Sequence, residues 1–227
     1  MDIKFEQQKF KQGFRFVIGC DEVGRGSLAG PVVAATVLVA SDKLKVCKVI
    51  KSQVKDSKQL SPKKREELAS FIKQNFLCAI GEVSHKIIDE INIHNATLLA
   101  MKKAVIKLTS AYSHELAYKE QRGLLAIDGR FVIPNFVPIV IGTSKGKPKF
   151  DMEQEAIVKG DNKIFSIAAA SIVAKVYRDE LMRKMNIKYP QYGFAKHKGY
   201  GTLRHRNMVK QYGLSSLHRK SFCKKLI

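Results

Sequence analysis

The sequence predicts an α/β fold, a mixed β-sheet flanked by helices. Two observations lead there. Apolar strand-like runs intermix with helical stretches along the 227 residues. The first two strands form an antiparallel pair around a long Gly-rich turn, which a purely parallel sheet does not contain. The length suits one domain, and a hydrophobic content of 45% is ordinary for a chain with a real core.

The elements follow in order. Residues 1–13 are polar and read as a loose lead-in. Phe14 to Cys20 (FRFVIGC) reads as a strand that stops at Asp21-Glu22, and Pro31 to Ala40 (PVVAATVLVA) is a β-branched second strand. Residues 41–60 are Lys-rich and loop-like. Ser61-Pro62 opens a helix to about Asn75, with Ser as N-cap and Pro at the first helical position. Phe76 to Val83 is a third strand. From about Asn95 to His114 an amphipathic helix places Leu98, Met101, Val105 and Leu108 on one face. Leu124 to Ile127 is a strand ending at Asp128, and Val137 to Ile141 is another. Residues 142–153 read as a polar insertion loop. Ile164 to Lys184 is an Ala-rich helix, Tyr189 to Thr202 an aromatic and Gly-rich loop, Leu203 to Tyr212 a short basic helix, and the remainder a basic tail.

Charge narrows the function. Lys and Arg number 41 against 20 Asp and Glu, a net charge of +21. That excess favours a polyanionic partner, because each neutralised phosphate releases a condensed counterion. No long basic amphipathic helix or lipidation signal points to a membrane surface. The four cysteines, at 20, 47, 78 and 223, form no CxxC pair, which leaves a zinc site without support. With no apolar signal region and no apolar run of ~20 residues, the expectation is a cytoplasmic protein with free thiols.

Asp21 with Glu22, Asp128 and Asp161 stand where apolar runs stop or a new element starts, the usual edge for an active site in an α/β sheet. Any one of them could be a turn or surface acid. Converging carboxylates repel one another unless a cation lies between them, and all-oxygen ligands favour Mg²⁺ or Mn²⁺. Two such ions about 4 Å apart can activate water and stabilise the leaving oxygen of a phosphodiester. No persuasive Ser–His or Cys–His pairing competes with that chemistry.

The blocks around these acids carry a resemblance. Gly19-Cys20-Asp21-Glu22-Val23-Gly24-Arg25-Gly26 with Leu28 to Val33, Asp56-Ser57-Lys58-Gln59-Leu60, Asp128-Gly129, Lys159-Gly160-Asp161, Ser166 to Lys175, Tyr192 to Thr202, and His218-Arg219-Lys220-Ser221-Phe222 appear in order. This set resembles the ribonuclease HII family over nearly the whole chain. The resemblance implies one ribonuclease H-like domain over 1–227, with a core of about 14–187 and a substrate-contacting C-terminal segment of about 188–227. It implies four metal-binding carboxylates, matching Asp21, Glu22, Asp128 and Asp161. It also implies cleavage of the RNA strand of RNA–DNA hybrids, nicking at ribonucleotides embedded in duplex DNA, and 5′-phosphate and 3′-hydroxyl ends. No obligate protein partner is evident.

Reading the 2′-hydroxyl needs backbone groups at close range, and glycines flanking Arg25 permit such an approach. In the family this loop contacts the ribose and the residue matching Tyr200 packs on the neighbouring sugar. Gly24, Arg25, Gly26 and Tyr200 are therefore expected to read an RNA-to-DNA junction. Lys58 and Lys198, and less directly Lys159 and Lys175, are candidates for phosphate contacts. His197 is expected to be structural. The interval from Asp128 to Asp161 is longer than usual in the family, with the excess in 135–153. No large domain precedes Asp21, which disfavours the sister type, ribonuclease HIII. Three other readings stand against this one. A dinucleotide fold fails on Gly24-x-Gly26-x-x-x-Gly30, whose spacing is wrong and which is followed by Pro31 where a helix should start. A non-catalytic nucleic-acid-binding module explains the charge but not the acids. Another nuclease on the same fold, such as a junction resolvase, remains open.

Overall fold

Five strands hydrogen-bond in the order β3-β2-β1-β4-β5. The strands are β1 (Phe16–Val23), β2 (Val32–Ala40), β3 (Leu77–Val83), β4 (Gln121–Asp128) and β5 (Phe150–Ile157). The computed structural model describes residues 2–55, 60–111, 121–136 and 150–226. β1, β2 and β3 are antiparallel neighbours, and β4 and β5 add in parallel to β1. The mixed sheet expected from the sequence is therefore present, and β1 is its centre.

Two long helices sandwich it. Along β1, Phe16, Ile18 and Cys20 face one side and pack with Ala100, Ala104 and Leu108 of α4 (His85–Ala111). Val17 and Gly19 face the other side, against the start of α5 (Phe165–Lys188). This alternation is the period of two of a strand buried on both faces. Gly19 has to lack a side chain, since a Cβ there would lie 2.0 Å from the Ser166 carbonyl carbon. α4 breaks at Asn92, whose φ of 66° is left-handed, and the Asn92 side chain caps the renewed helix by accepting from Asn95 N–H at 3.1 Å.

Several segments differ from the sequence expectation. The lead-in contains α1 (Lys4–Lys11), which covers β1 and sends Glu6 inside. Its inner stripe is Ile3, Glu6 and Phe10, and the acid in the middle hides the apolar spacing. Residues 41–55 are a 3₁₀ turn followed by α2 (Leu44–Lys55), whose Cys47, Ile50 and Val54 are buried among outward lysines. The last residues of the expected insertion loop belong to β5, where Glu153 pairs with Arg122 and Glu155 with Lys9. The basic tail holds α8 (Lys220–Cys223) and the fully buried Arg219. The expected strand at 137–141 and the remainder of that loop lie outside the described residues.

α4 starts at His85, ten residues before the expected Asn95, and the expected loop from Tyr189 to Thr202 contains a 3₁₀ turn and a short helix. Two other helix starts agree. α3 (Pro62–Asn75) begins at Ser61, whose hydroxyl accepts from Lys64 N–H, and α7 (Leu203–Tyr212) begins at Thr202, which accepts from His205 N–H. α2 and α3 pack on α5. The short α6 (Phe194–His197) and α7, with Leu214, Leu217 and Leu226, close a separate apolar cluster of Ala29, Met182, Tyr192, Phe194 and Val209.

Glu6 links α1 to α5. Its Oε1 accepts from Ser166 N–H at 2.9 Å, so a carboxyl from 160 residues away satisfies a donor in the first turn of α5. Burial, the dominant cause, raises the pKa of this group above that of an ordinary glutamate. Replacing Glu6 with Ala leaves that donor buried and unmatched. Chemical denaturation should show a loss of about 1–3 kcal/mol, with Glu6→Gln retaining most of the stability; equal losses in the two variants would contradict the capping role.

Candidate active site

The parallel pairing of β1 with β4 builds the acidic cluster. Cys20 is opposite Ile127, so one step further Asp21 comes beside Asp128, the last residue of β4. By strand alternation both carboxylates project on the α5 side, and Glu22 on the α4 side, where the two strands run out. Asp21, Glu22 and Asp128 each offer an oxygen within 4.8 Å of the others. Asp21 is only 5% exposed, and Glu22 and Asp128 are half-buried.

Backbone donors fix these groups. Glu22 N–H donates to Asp21 Oδ1 at 2.7 Å, and Gly160 N–H donates to Asp128 Oδ1 at 2.7 Å. Gly160 opens the 3₁₀ turn Gly160–Asn162, so the same turn that carries Asp161 is tied to Asp128. Lys159 enters it with φ 58°. Asp161 is half-buried on this turn, and its carboxylate lies outside the group of three within 4.8 Å.

Burial raises the pKa of Asp21 well above the carboxylate range, and the charges of Glu22 and then Asp128 push the same way against a hydrogen bond from Ser171. Burial also raises Glu22, opposed by Arg25, whose Nη1 lies 3.2 Å from Glu22 Oε1. A nearly dry set of mutually repelling oxygens next to one exposed arginine fits a hard divalent cation, which relieves the repulsion and accepts only oxygen ligands.

The loop between β1 and β2 forms the rim. Arg25 and Gly26 are exposed, while Gly24 is buried with φ +92°. A Cβ on Gly24 would lie 2.2 Å from Arg178 Nε. On one side the loop bridges to the Tyr200 segment: Leu28 N–H donates to Gly199 O at 2.8 Å, and Ser27 is paired with Tyr200. On the other side it bridges to the C-terminal segment, with Gly30 N–H donating to Leu217 O at 2.9 Å and Arg219 N–H to Leu28 O at 2.8 Å. Tyr200 is 36% exposed, and the Arg178 guanidinium lies 5.6 Å from its ring centre.

The lysines divide. Lys58 lies outside the described residues. Lys198 is half-buried, with φ 54°, and its Nζ is bonded to Ala195 O. Lys175 is paired with Asp179 at 2.7 Å, whereas Lys159 is exposed. His197 uses both ring nitrogens structurally, Nε2 at 2.7 Å from Tyr192 O and Nδ1 accepting from Gly199 N–H.

Sequence reasoning passed over His205 and His218, which are buried beneath Tyr200. His218 Nδ1 accepts from Ser215 N–H at 2.9 Å, so its proton is on Nε2. That proton is donated to His205 Nε2 at 3.0 Å, which leaves His205 Nδ1–H to donate to Tyr200 O at 3.0 Å. A single tautomer of each ring satisfies the chain. Burial, as the main cause, lowers both pKa values to about 4.

A profile of the family described as Ribonuclease HII matches residues 18–225. A curated relative, the ribonuclease HII of Alkaliphilus metalliredigens strain QYMF, is 43% identical over 226 residues, covering 99% of this chain and 98% of the relative. Among solved structures, ribonuclease H2 from Pyrococcus horikoshii OT3 superposes with TM-score 0.69 at 26% identity, over 93% of this chain and 96% of the other. Bst-RNase HIII in complex with Mn²⁺ superposes with TM-score 0.66 at 19% identity, over 95% and 70%, a likeness of fold alone.

Two measurements check this electrostatic picture. Without metal, the folded state keeps a proton on Asp21 where the unfolded chain has lost it, so repulsion erodes stability as pH rises above the ordinary carboxylate range. Metal-free Asp21→Asn should therefore be more stable than wild type by about 0.5–2 kcal/mol, and Mn²⁺ should raise the wild-type Tm more than the variant's. A variant less stable than wild type without metal would count against the repulsion.

The histidines act in the opposite direction. Their folded pKa lies below the unfolded value of 6.5, so their contribution is complete above 6.5 and is lost as pH falls towards 4. Wild type should lose urea stability between about pH 7 and pH 5 more steeply than a His205→Asn, His218→Asn double variant; parallel curves would remove the neutral-ring assignment.

Proposed function

The chain belongs to the ribonuclease HII family, metal-dependent hydrolases that cut the RNA strand of RNA–DNA hybrids, and from that premise we propose how its own residues divide the work. Asp21, Glu22, Asp128 and Asp161 hold Mg²⁺ or Mn²⁺, two ions when substrate is bound. The products carry 5′-phosphate and 3′-hydroxyl ends, and a ribonucleotide embedded in duplex DNA is a substrate. The observation that carries this reading is the convergence of three buried or half-buried carboxylates within 4.8 Å in a chain of net charge +21.

Divalent cations supply water activation and neutralisation of the leaving oxygen at such a site. The chain's part is positioning. Gly160 N–H orients Asp128 and places the Asp161 turn beside it. Asp21 is held by the backbone of its neighbour. Arg25 faces both the cluster, through Glu22, and solvent, where a phosphate can approach. Gly24, Arg25 and Gly26 offer backbone to a 2′-hydroxyl, and the Tyr200 ring packs on the adjoining deoxyribose. Lys58 and Lys198 contact phosphates. For Lys198 this requires release of its bond to Ala195.

The decisive assay uses two substrates, a duplex bearing one ribonucleotide and a continuous RNA–DNA hybrid. Asp21→Asn and Asp128→Asn should each lose at least about 10²–10³-fold in kcat on both. Tyr200→Ala should lose more on the single ribonucleotide than on the hybrid. Undiminished cleavage by Asp21→Asn would refute the metal site, and equal loss on both substrates would remove Tyr200 from junction reading.

A further inference from the structure

Beneath the loop just assigned to substrate lie two fully buried arginines. Among the described residues no carboxylate pairs with either. Arg219, just before α8, donates from Nε to Gly30 O at 3.0 Å, from Nη1 to Arg25 O at 2.8 Å, and from Nη2 to Gly24 O at 2.7 Å. Arg178, in the middle of α5, donates from Nε to Pro31 O at 3.1 Å, from Nη1 to Lys198 O at 2.9 Å, and from Nη2 to Ala29 O at 3.2 Å. Six carbonyls thus take the place of a counterion. Five belong to the β1–β2 connection, and the sixth to the segment that carries Tyr200.

An unpaired guanidinium in the interior is costly, and stability alone is served as well by apolar packing. The rigid fork of an arginine does one thing that apolar side chains cannot, which is to fix several carbonyl directions at once. In a planar trans peptide the N–H points opposite to the C=O. With the carbonyls of Gly24 and Arg25 drawn inward to Arg219, the N–H groups of Arg25 and Gly26 turn outward, at the two residues of the loop that are exposed.

We propose that Arg219 is a positioning residue for substrate recognition. Its guanidinium sets two consecutive peptide planes so that the Arg25 and Gly26 N–H donors face the nucleic acid. Arg178 holds the Tyr200 segment in register with them. The inference deepens the substrate reading above and rests on it. It explains why the C-terminal segment reaches back to a loop about 190 residues earlier: the last part of the chain aims the first.

The test separates positioning from folding. Arg219→Lys keeps the charge but loses the three-pronged geometry. On the single-ribonucleotide duplex its KM should rise about 10–100-fold with kcat largely retained, as expected for lost ground-state hydrogen bonds. Its Mn²⁺-induced rise in Tm should match wild type. Arg219→Ala should show the same defect, with methylguanidinium restoring KM and ammonium failing to do so. A fall in kcat at constant KM, or wild-type kinetics, would overturn the proposal, as would rescue by ammonium. Gly26→Ala tests the underlying reading separately. A Cβ at Gly26 meets nothing within 4 Å in the protein, so its KM should rise only if substrate approaches there. Wild-type kinetics of Gly26→Ala would remove the substrate reading itself; a raised KM in Gly26→Ala without one in Arg219→Lys would remove only the role of Arg219.

Discussion

Repulsion between carboxylates held at the ends of two adjacent parallel strands is the constraint on which this structure turns. Asp21 and Asp128 come together because β1 and β4 pair in register up to Cys20 and Ile127. The register is in turn enforced by apolar residues on both faces of both strands, since a one-residue slip would turn Ile18, Leu125 and Ile127 out of their layer. The burial of the sheet therefore supplies the energy that keeps like charges in contact. A site of this kind is poised for a cation before one arrives, because the folded chain cannot relax away from its own charges.

Around that negative centre the protein is basic at the surface and also in its interior. Among the described residues Arg178 and Arg219, beneath the β1–β2 loop, have no carboxylate partner, and the solvation they lose is replaced by carbonyl dipoles from that loop and from Lys198. Burial, reinforced by the neighbouring Arg178 charge, lowers the pKa of Arg219 to about 9, which still leaves it protonated at neutral pH. The His218–His205 chain under Tyr200 works by different means, with neutral rings each locked in one tautomer by a backbone donor at Ser215 and a backbone acceptor at Tyr200. Charge and tautomer together tie the rim of the site to the protein interior.

Much of this was legible in the chain, and the failures share a cause. Ser61-Pro62 announced its helix because a cap and a first turn are local chemistry. The strand before Asp21 and the antiparallel return through Val32 to Ala40 were readable because both are continuous apolar runs. α1 was hidden because the buried position at its centre is an acid, Glu6, whose partner is Ser166. α2 was hidden because lysines surround the stripe of Cys47, Ile50 and Val54. The Glu-rich β5 was hidden because its charges are matched by Arg122 and Lys9 from neighbouring elements. For Glu6 and for the β5 glutamates the compensating group is far away in sequence.

The sequence by itself determined the order and type of most elements, the acids at the strand ends, the basic character of the whole, and the family, because these reside in short spacings and ordered blocks. Only the tertiary structure decided which acids share a space, that the basic C-terminal segment sends Arg219 into the interior beneath the β1–β2 loop, and that the lysine at 198 is tied to a carbonyl. Those outcomes depend on distances between segments many tens of residues apart, and such distances are set by sheet register and helix packing rather than by local pattern.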